Sequence, residues 1–432
     1  MRPGARIGAA IEVLEDIAVN HRPASSALSD WGRSHRFAGS GDRTAIGTLV
    51  FDALRHKNSF AWKMGSDAPR ALALAAAGDA LGLSPEALQA AADGSQYSIE
   101  PLSEEEVAGL ERAIPEDAAL AVSGDLPEWM TQSFERTFGG RAGEEGRGLS
   151  LRAPIDLRVN GLKATREKVL KAFEKFGAVA TPLSPLGVRI PAPQGPAKSP
   201  NVEADVAHGK GWFEVQDEGS QLAALIAGAS PREQVLDFCA GAGGKTLAMA
   251  AGMQNTGQVY AYDNSRSQLR PIFERLKRAG VRNVQVMEAG DEAQLKALEG
   301  RFDLVFADAP CTGSGTWRRR PDAKWRLKPE AIELRLEEQR AVLASAAPMV
   351  KPGGRLVYVT CSVLTEENGD QVAAFLAGHR EFRLSPVSEH WAARMEGEMP
   401  VSADGSRETL LLTPHSHGTD GFFIAVLQRQ SE

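Results

Sequence analysis

The 432-residue chain is expected to adopt an α/β fold, a mostly parallel sheet wound by helices on both faces, behind a helical first third. Three observations predict this. From about residue 211, short apolar runs alternate with helical stretches, the pattern of repeated βα units. Several of those runs end in a carboxylate, a thiol or a glycine loop, which is what the ligand edge of such a sheet carries. Near the start, Ile7, Ile11, Leu14 and Ile17 recur at helical spacing, as do Ile46, Leu49, Val50, Ala53 and Leu54.

In order along the chain, residues 1–140 read as a helical domain. Ala71–Leu83 is rich in alanine and leucine, and Ser84-Pro85-Glu86 carries the cap and first-turn proline of a further helix. Gly139–Gly148 reads as a glycine-rich loop or boundary. Residues 150–210 read as a small α/β piece: a strand at Ile155–Val159, a helix at Arg166–Phe176 stopped by Gly177, a strand at Leu186–Ile190 and a proline-rich connector at Pro191–Pro200. Residues 211–432 form the main sheet domain. Its strands are expected at Val235–Phe238, Gln258–Tyr262, Val284–Met287, Phe302–Ala307, Arg355–Val359 and Phe422–Leu427, with helices near 266–279, 329–347 and 366–377.

The composition sets bounds. Hydrophobic residues at 43% and charged residues at 24% exclude a disordered, collagen-like or coiled-coil chain. No apolar run approaches the roughly 20 residues of a membrane helix, and the first turns carry no secretory signal. Net charge is −7, but nine acids between Glu86 and Asp117 face one arginine, so the rest of the chain is about neutral. That acidic stretch reads as a solvated face or linker. Three cysteines without a CxxC pair argue against a disulfide framework or zinc site and fit a reducing cytoplasm. Nothing demands more than a monomer.

The chemistry gathers on the predicted strand ends. Cys239-Ala240-Gly241-Ala242-Gly243-Gly244-Lys245 leaves a strand and opens a helix, so its N–H groups can meet a polar ligand. A Walker A loop fails because Cys239 occupies a required glycine position, and a dinucleotide fingerprint fails at Thr246. Asp263 ends the next strand, where a carboxylate meets a ribose diol, and Asp291 stands beyond the third. Together they suggest a nucleoside cofactor without phosphates, which S-adenosylmethionine fits better than a dinucleotide. Asp308-Ala-Pro-Cys311 and Thr360-Cys361-Ser362 bring a carboxylate and two thiols to the same edge. A thiolate there can attack an electron-poor carbon. Between them, Arg318, Arg319, Arg320, Lys324 and Arg326, interleaved with Trp317 and Trp325, read as a nucleic-acid contact rather than a solvated basic loop.

These residues resemble the RsmB/Nop/Sun family of RNA cytosine-5 methyltransferases, most closely its bacterial RsmB-like members that act on 16S rRNA. The resemblance rests on Gln216–Gln221, Leu236–Thr246, Asp263, Gly290-Asp291, Asp308–Gly315, Arg319–Asp322, Gln339, Lys351–Gly354, Tyr358–Val363, Glu366–Asn368 and Asp420–Phe423, in that order. It covers about residues 211–432. Residues 150–210 are compatible with the family's small RNA-binding subdomain, and residues 1–140 resemble a NusB-like helical RNA-binding domain, best around Arg43–Arg55. The loop departs at Ala242, where the family usually carries proline.

The resemblance implies a Rossmann-like class I methyltransferase domain with a seven-stranded, mostly parallel sheet. It implies S-adenosylmethionine as cofactor, held by residues 239–245, Asp263, Asp291 and Asp308. It implies Cys361 as the nucleophile on cytosine carbon-6, Cys311 as the group that assists proton loss and release, and Asp308 as a hydrogen-bonding partner near N3. The expected partner is 16S rRNA, with tRNA second, and the target base must be unstacked to reach the pocket. Two other classes compete: an inactive RNA-binding relative, against which both retained thiols, Asp308 and Lys245 count, and a nucleotidase or ATPase, against which Cys239 counts.

Overall fold

The helical first third builds its own core in the computed structural model, which describes residues 1–431. Helices Pro3–Asn20, Ser40–Arg55 and Pro69–Leu81 bury Ile7, Leu14, Ile46, Leu49, Leu72 and Leu74 against one another. Sequence sets their ends: Pro3 and Pro69 start two of them, and Gly82, at φ 62°, stops the third in the left-handed region. Ser84 caps the next helix, its hydroxyl accepting the Ala87 N–H at 3.3 Å.

Gly139–Gly148 corrects the expectation of a loop. After one 3₁₀ turn at Gly139–Arg141, residues Ala142–Ser150 form a helix despite three glycines. Each glycine costs about 1 kcal/mol of helix propensity, so packing must offset it. The reason is close approach: a Cβ on Gly146 would lie 2.6 Å from the Gly124 carbonyl oxygen, and one on Gly148 would lie 2.8 Å from the His415 nitrogen. Gly146 lets the helix pack on Gly124 of the helical domain, and Gly148 lets it touch the C-terminal half of the chain.

A small antiparallel sheet follows. Its strands are β1 (Ile155–Val159), β2 (Val179–Ala180), β3 (Gly187–Ile190) and β4 (Phe213–Val215), in the order β2-β3-β1-β4. Helix Arg166–Phe173 covers it, and Leu157, Val169, Phe173, Val188 and Phe213 form its core. β4 lies past residue 210, where the sequence places the boundary, yet it pairs with β1 at Leu157↔Val215 and Val159↔Phe213. A three-residue strand carries too little pattern to be read alone.

The large sheet holds β5 (Gln234–Asp237), β6 (Gln258–Ala261), β7 (Val284–Val286), β8 (Phe302–Asp308), β9 (Val350–Thr360), β10 (Phe382–Ser385), β11 (Leu410–Leu412) and β12 (Phe422–Arg429). The order is β10-β12-β9-β8-β5-β6-β7, with β11 paired to β12. The expected seven strands are therefore the main path, and β11 adds an eighth. β5 to β9 run parallel, while β12 runs antiparallel between β9 and β10.

Side chains alternate between two buried faces, as strand geometry requires. Val235, Leu304, Phe306, Val357 and Ile424 meet helices Glu218–Ala227 and Gly244–Gly252. Leu236, Val305, Leu356, Tyr358 and Phe423 meet helices Pro329–Ala346 and Gly369–Gly378. The helix expected over 266–279 is split at Pro271 into Arg266–Leu269 and Ile272–Ala279. Among the described residues, no helix is long and apolar enough to cross a membrane.

Candidate active site

The carboxyl ends of β5, β6 and β8 open onto a cleft of about 1150 Å³, whose lining includes Asp237, Gly241, Lys245, Asp263, Asp308 and Pro310. This is slightly above the usual range of small-molecule sites, about 300–1,000 Å³. The loop after β5 turns sharply, with Gly241 at φ 51° and Gly243 at φ 82°. At Gly243 a Cβ would sit 2.4 Å from Ile272 Cγ1, so only glycine fits. The loop lacks proline at Ala242 but is fixed from outside. Arg275 Nη1 donates to the Ala242 carbonyl at 2.7 Å, and Arg158 Nη1, reaching over from β1, donates to the Gly244 carbonyl at 2.7 Å.

Asp263 accepts the Gly241 N–H at 3.0 Å and the Ser265 N–H at 2.8 Å, one on each oxygen. Each oxygen keeps a further lone pair for a ligand hydroxyl. Asp291 does not join it: its carboxylate accepts the Gln294 N–H at 2.9 Å and caps helix Glu292–Lys296, while Leu295, Lys296 and Glu299 of that segment line the cleft.

Asp237, not singled out in the sequence, is more prominent. It is 1% exposed, and burial lifts its carboxyl to about 7 although it accepts the Thr246 hydroxyl at 2.6 Å. Asp237 Oδ1 and Gln216 Oε1 are buried acceptors without a partner, and both residues line the cleft. Buried acceptors call for donors. Two of them, a carboxylate suited to a diol, and a lysine already paired with a carboxylate fit an amino-acid nucleoside better than a phosphate ester.

Lys245 Nζ donates to Asp308 Oδ2 at 2.6 Å. Burial opposes the ammonium, but Asp308 outweighs it and the pKa is raised. Beside this pair the two thiol loops meet, with Cys311 Sγ 3.4 Å from Cys361 Sγ. The loops are tied together: the Gly315 N–H donates to the Cys361 carbonyl at 3.0 Å, and the Val363 N–H donates to Ser314 Oγ at 2.9 Å. The hydrogen bond to Cys361, then burial, pushes the Cys311 thiol up. Cys239 lines the cleft and is pushed up by burial.

The basic cluster is corrected. Arg318 is 4% exposed and donates to Asp420 at 2.5 Å and Asp217 at 3.2 Å. Arg319 pairs with the same two acids and donates to the Pro154 carbonyl at 3.0 Å. Arg326 pairs with Asp322 at 3.0 Å. Lys324 is buried and donates to the Arg55 carbonyl at 3.2 Å and Ser150 Oγ at 3.1 Å, and Trp325 donates to the Leu54 carbonyl at 2.5 Å. Arg318 thus ties segments of the large-sheet domain together, Lys324 anchors that domain to the helical one, and neither is free to meet RNA. Arg320 is exposed and makes no side-chain ion pair among the described residues.

Burial pushes the Lys324 ammonium from 10.5 down to about 8. The folded chain therefore releases this proton before the unfolded chain does. Stability should rise with pH through the window from 8 to 10.5, by up to about 3 kcal/mol from this group. Urea midpoints of the wild type and Lys324→Met across that window check this; an identical pH slope in the two proteins contradicts it.

A doubly wound sheet in this order, with a glycine loop, a strand-end carboxylate and an edge cleft, defines a Rossmann-like methyltransferase. Residues 224–428 match the family of 16S rRNA methyltransferases RsmB/F. The probable ribosomal RNA small subunit methyltransferase B of Synechocystis sp. is 33% identical over 319 residues, covering 73% of this chain and 69% of that one. Its Bacillus subtilis counterpart is 32% identical over 316 residues, covering 72% and 68%. The crystal structure of PH0851 superposes with a TM-score of 0.73 at 25% identity over 99% of each chain. The chain belongs to the RsmB/F family of RNA methyltransferases.

Proposed function

We propose that this protein methylates carbon-5 of a cytosine in 16S rRNA, using S-adenosylmethionine and a covalent cysteine adduct. The observation that carries the reading is the pair of thiols 3.4 Å apart, beside the Lys245–Asp308 pair. S-adenosylmethionine, when bound, supplies an electrophilic methyl group. The residues suited to hold it are the loop 239–245, Asp263 and Asp237.

The chain's own residues do the rest. Cys361 gives its proton to solvent and the thiolate sulfur adds to cytosine carbon-6, which makes carbon-5 nucleophilic. Asp308 hydrogen-bonds near N3 and steadies the charged adduct. After methylation, the Cys311 sulfur, as its thiolate, takes the carbon-5 proton. That C–H electron pair restores the 5,6 double bond, and the electron pair of the carbon–sulfur bond leaves with Cys361.

The helical domain, the small sheet domain and exposed Arg320 would hold the RNA around the unstacked base. One chain supplies the cleft and both thiols, which suits a monomer, and three free cysteines suit a reducing cytoplasm.

The test offers the purified protein labelled S-adenosylmethionine with unmodified 16S rRNA, unmodified small subunits and tRNA. Bisulfite sequencing then maps the product. The expected result is one protected cytosine in 16S rRNA, naked or assembled. Label in tRNA alone, or at an atom other than carbon-5, overturns the reading.

A further inference from the structure

We propose that Glu367 is a positioning residue that holds Cys311 against Cys361, so that release of the methylated base depends on a carboxylate outside the cofactor cleft. The proposal rests on the covalent reading above. Glu367 is fully buried at the end of the turn Thr365–Glu367, just past the Cys361 loop. Its Oε1 accepts the Thr312 N–H at 2.8 Å and a Gln339 Nε2 hydrogen at 2.9 Å, and its Oε2 accepts the Thr312 hydroxyl at 2.5 Å. Gln339 Nε2 also donates to the Pro310 carbonyl at 2.9 Å. The backbone is therefore gripped on both sides of Cys311, directly at Thr312 and through Gln339 at Pro310.

The next residue does the same for the other thiol. Asn368 Oδ1 accepts the Thr360 hydroxyl at 2.5 Å, and its Nδ2 donates to the Ser362 carbonyl at 3.0 Å. Consecutive side chains thus fix the two loops in register. Glu367 makes no ion pair with a lysine or arginine among the described residues, so the hydrogen bonds from Thr312 and Gln339 offset its burial. The ionisable groups facing Cys311 are Cys361, Glu367 and Tyr358; the hydrogen bond to Cys361, burial and the Glu367 carboxylate raise the proton affinity of the Cys311 sulfur, which suits a group that takes the carbon-5 proton.

Glu367→Gln keeps the shape but removes the charge, and its amide NH2 takes the place of Oε2, where the Thr312 hydroxyl must turn from donor to acceptor. Wild type, Cys311→Ala and Glu367→Gln are incubated with S-adenosylmethionine and an RNA that wild type methylates, then run on a denaturing gel. Glu367→Gln should accumulate a protein–RNA band about fivefold above wild type, with kcat lowered and KM for RNA unchanged. Thr312→Val, which loses only the hydroxyl end of the contact, should show the same band at lower excess.

Without RNA, site-resolved alkylation by iodoacetamide should label Cys311 about threefold faster in Glu367→Gln than in wild type, with Cys239 unchanged. Wild-type adduct levels in both variants, or an unchanged Cys311 rate, overturn the proposal. If Cys311→Ala itself traps no RNA, the covalent reading has failed instead.

Discussion

Cys361→Ala is expected to abolish methyl transfer, with a loss of about a thousandfold or more, because the reaction loses its only route to an electron-rich carbon-5. Cytosine carbon-5 is too poor a nucleophile until a sulfur adds at carbon-6. Cys361 is placed for that addition at the end of β9, where Asn368 and Gly315 hold the backbone on either side. It is not among the residues lining the cleft proposed for the cofactor, so cofactor affinity should be unchanged. Labelled-methyl incorporation and calorimetric titration with the cofactor separate the two effects. Methylation surviving in Cys361→Ala would move the nucleophile to another residue.

Cys311→Ala should do the opposite of a simple loss. Addition and methylation still proceed, but the carbon-5 proton is not removed, and the enzyme stays bonded to its RNA. A denaturant-resistant band should take up a large share of the enzyme. In wild type it should be nearly absent. The band must vanish in the Cys311→Ala/Cys361→Ala double variant, because the bond is made by Cys361. A band that persists in the double variant would show that neither thiol forms it. Sequencing the trapped RNA identifies the substrate in the same experiment.

Much of this edge was legible in the sequence because each chemical residue directly follows an apolar run. Asp263, Asp308 and Cys361 fall at the ends of β6, β8 and β9 for that reason. The glycine loop was legible because three glycines separate a strand from a helix.

The rest was hidden for physical reasons. A sequence displays charge but not the partner of a charge, so Arg318 and Lys324 read as an RNA contact although Asp217, Asp420 and the Arg55 carbonyl claim them. Gly139–Gly148 read as a loop because its helix is held by contacts with Gly124 and His415, which are far away in sequence. Strands β4 and β11, of three residues each, carry too little pattern to stand out. Glu367 lies in a recognised motif, but its role is set by Thr312 and Gln339 and could be read only after folding.

The place of β12 has a consequence for how the enzyme is made. It is the last of the described strands in chain order, yet it lies between β9 and β10 rather than at an edge. Just ahead of it, Asp420 supplies the carboxylate shared by Arg318 and Arg319, and Gly421 rests on Gly315 of the Cys311 loop. The helical domain has its own core and can form while the chain is still growing. The Cys311 loop gains its contact with Gly421, and Arg318 and Arg319 their shared carboxylate, only after both thiol loops have been made. A nascent chain can therefore carry a folded helical domain before it can carry out any chemistry.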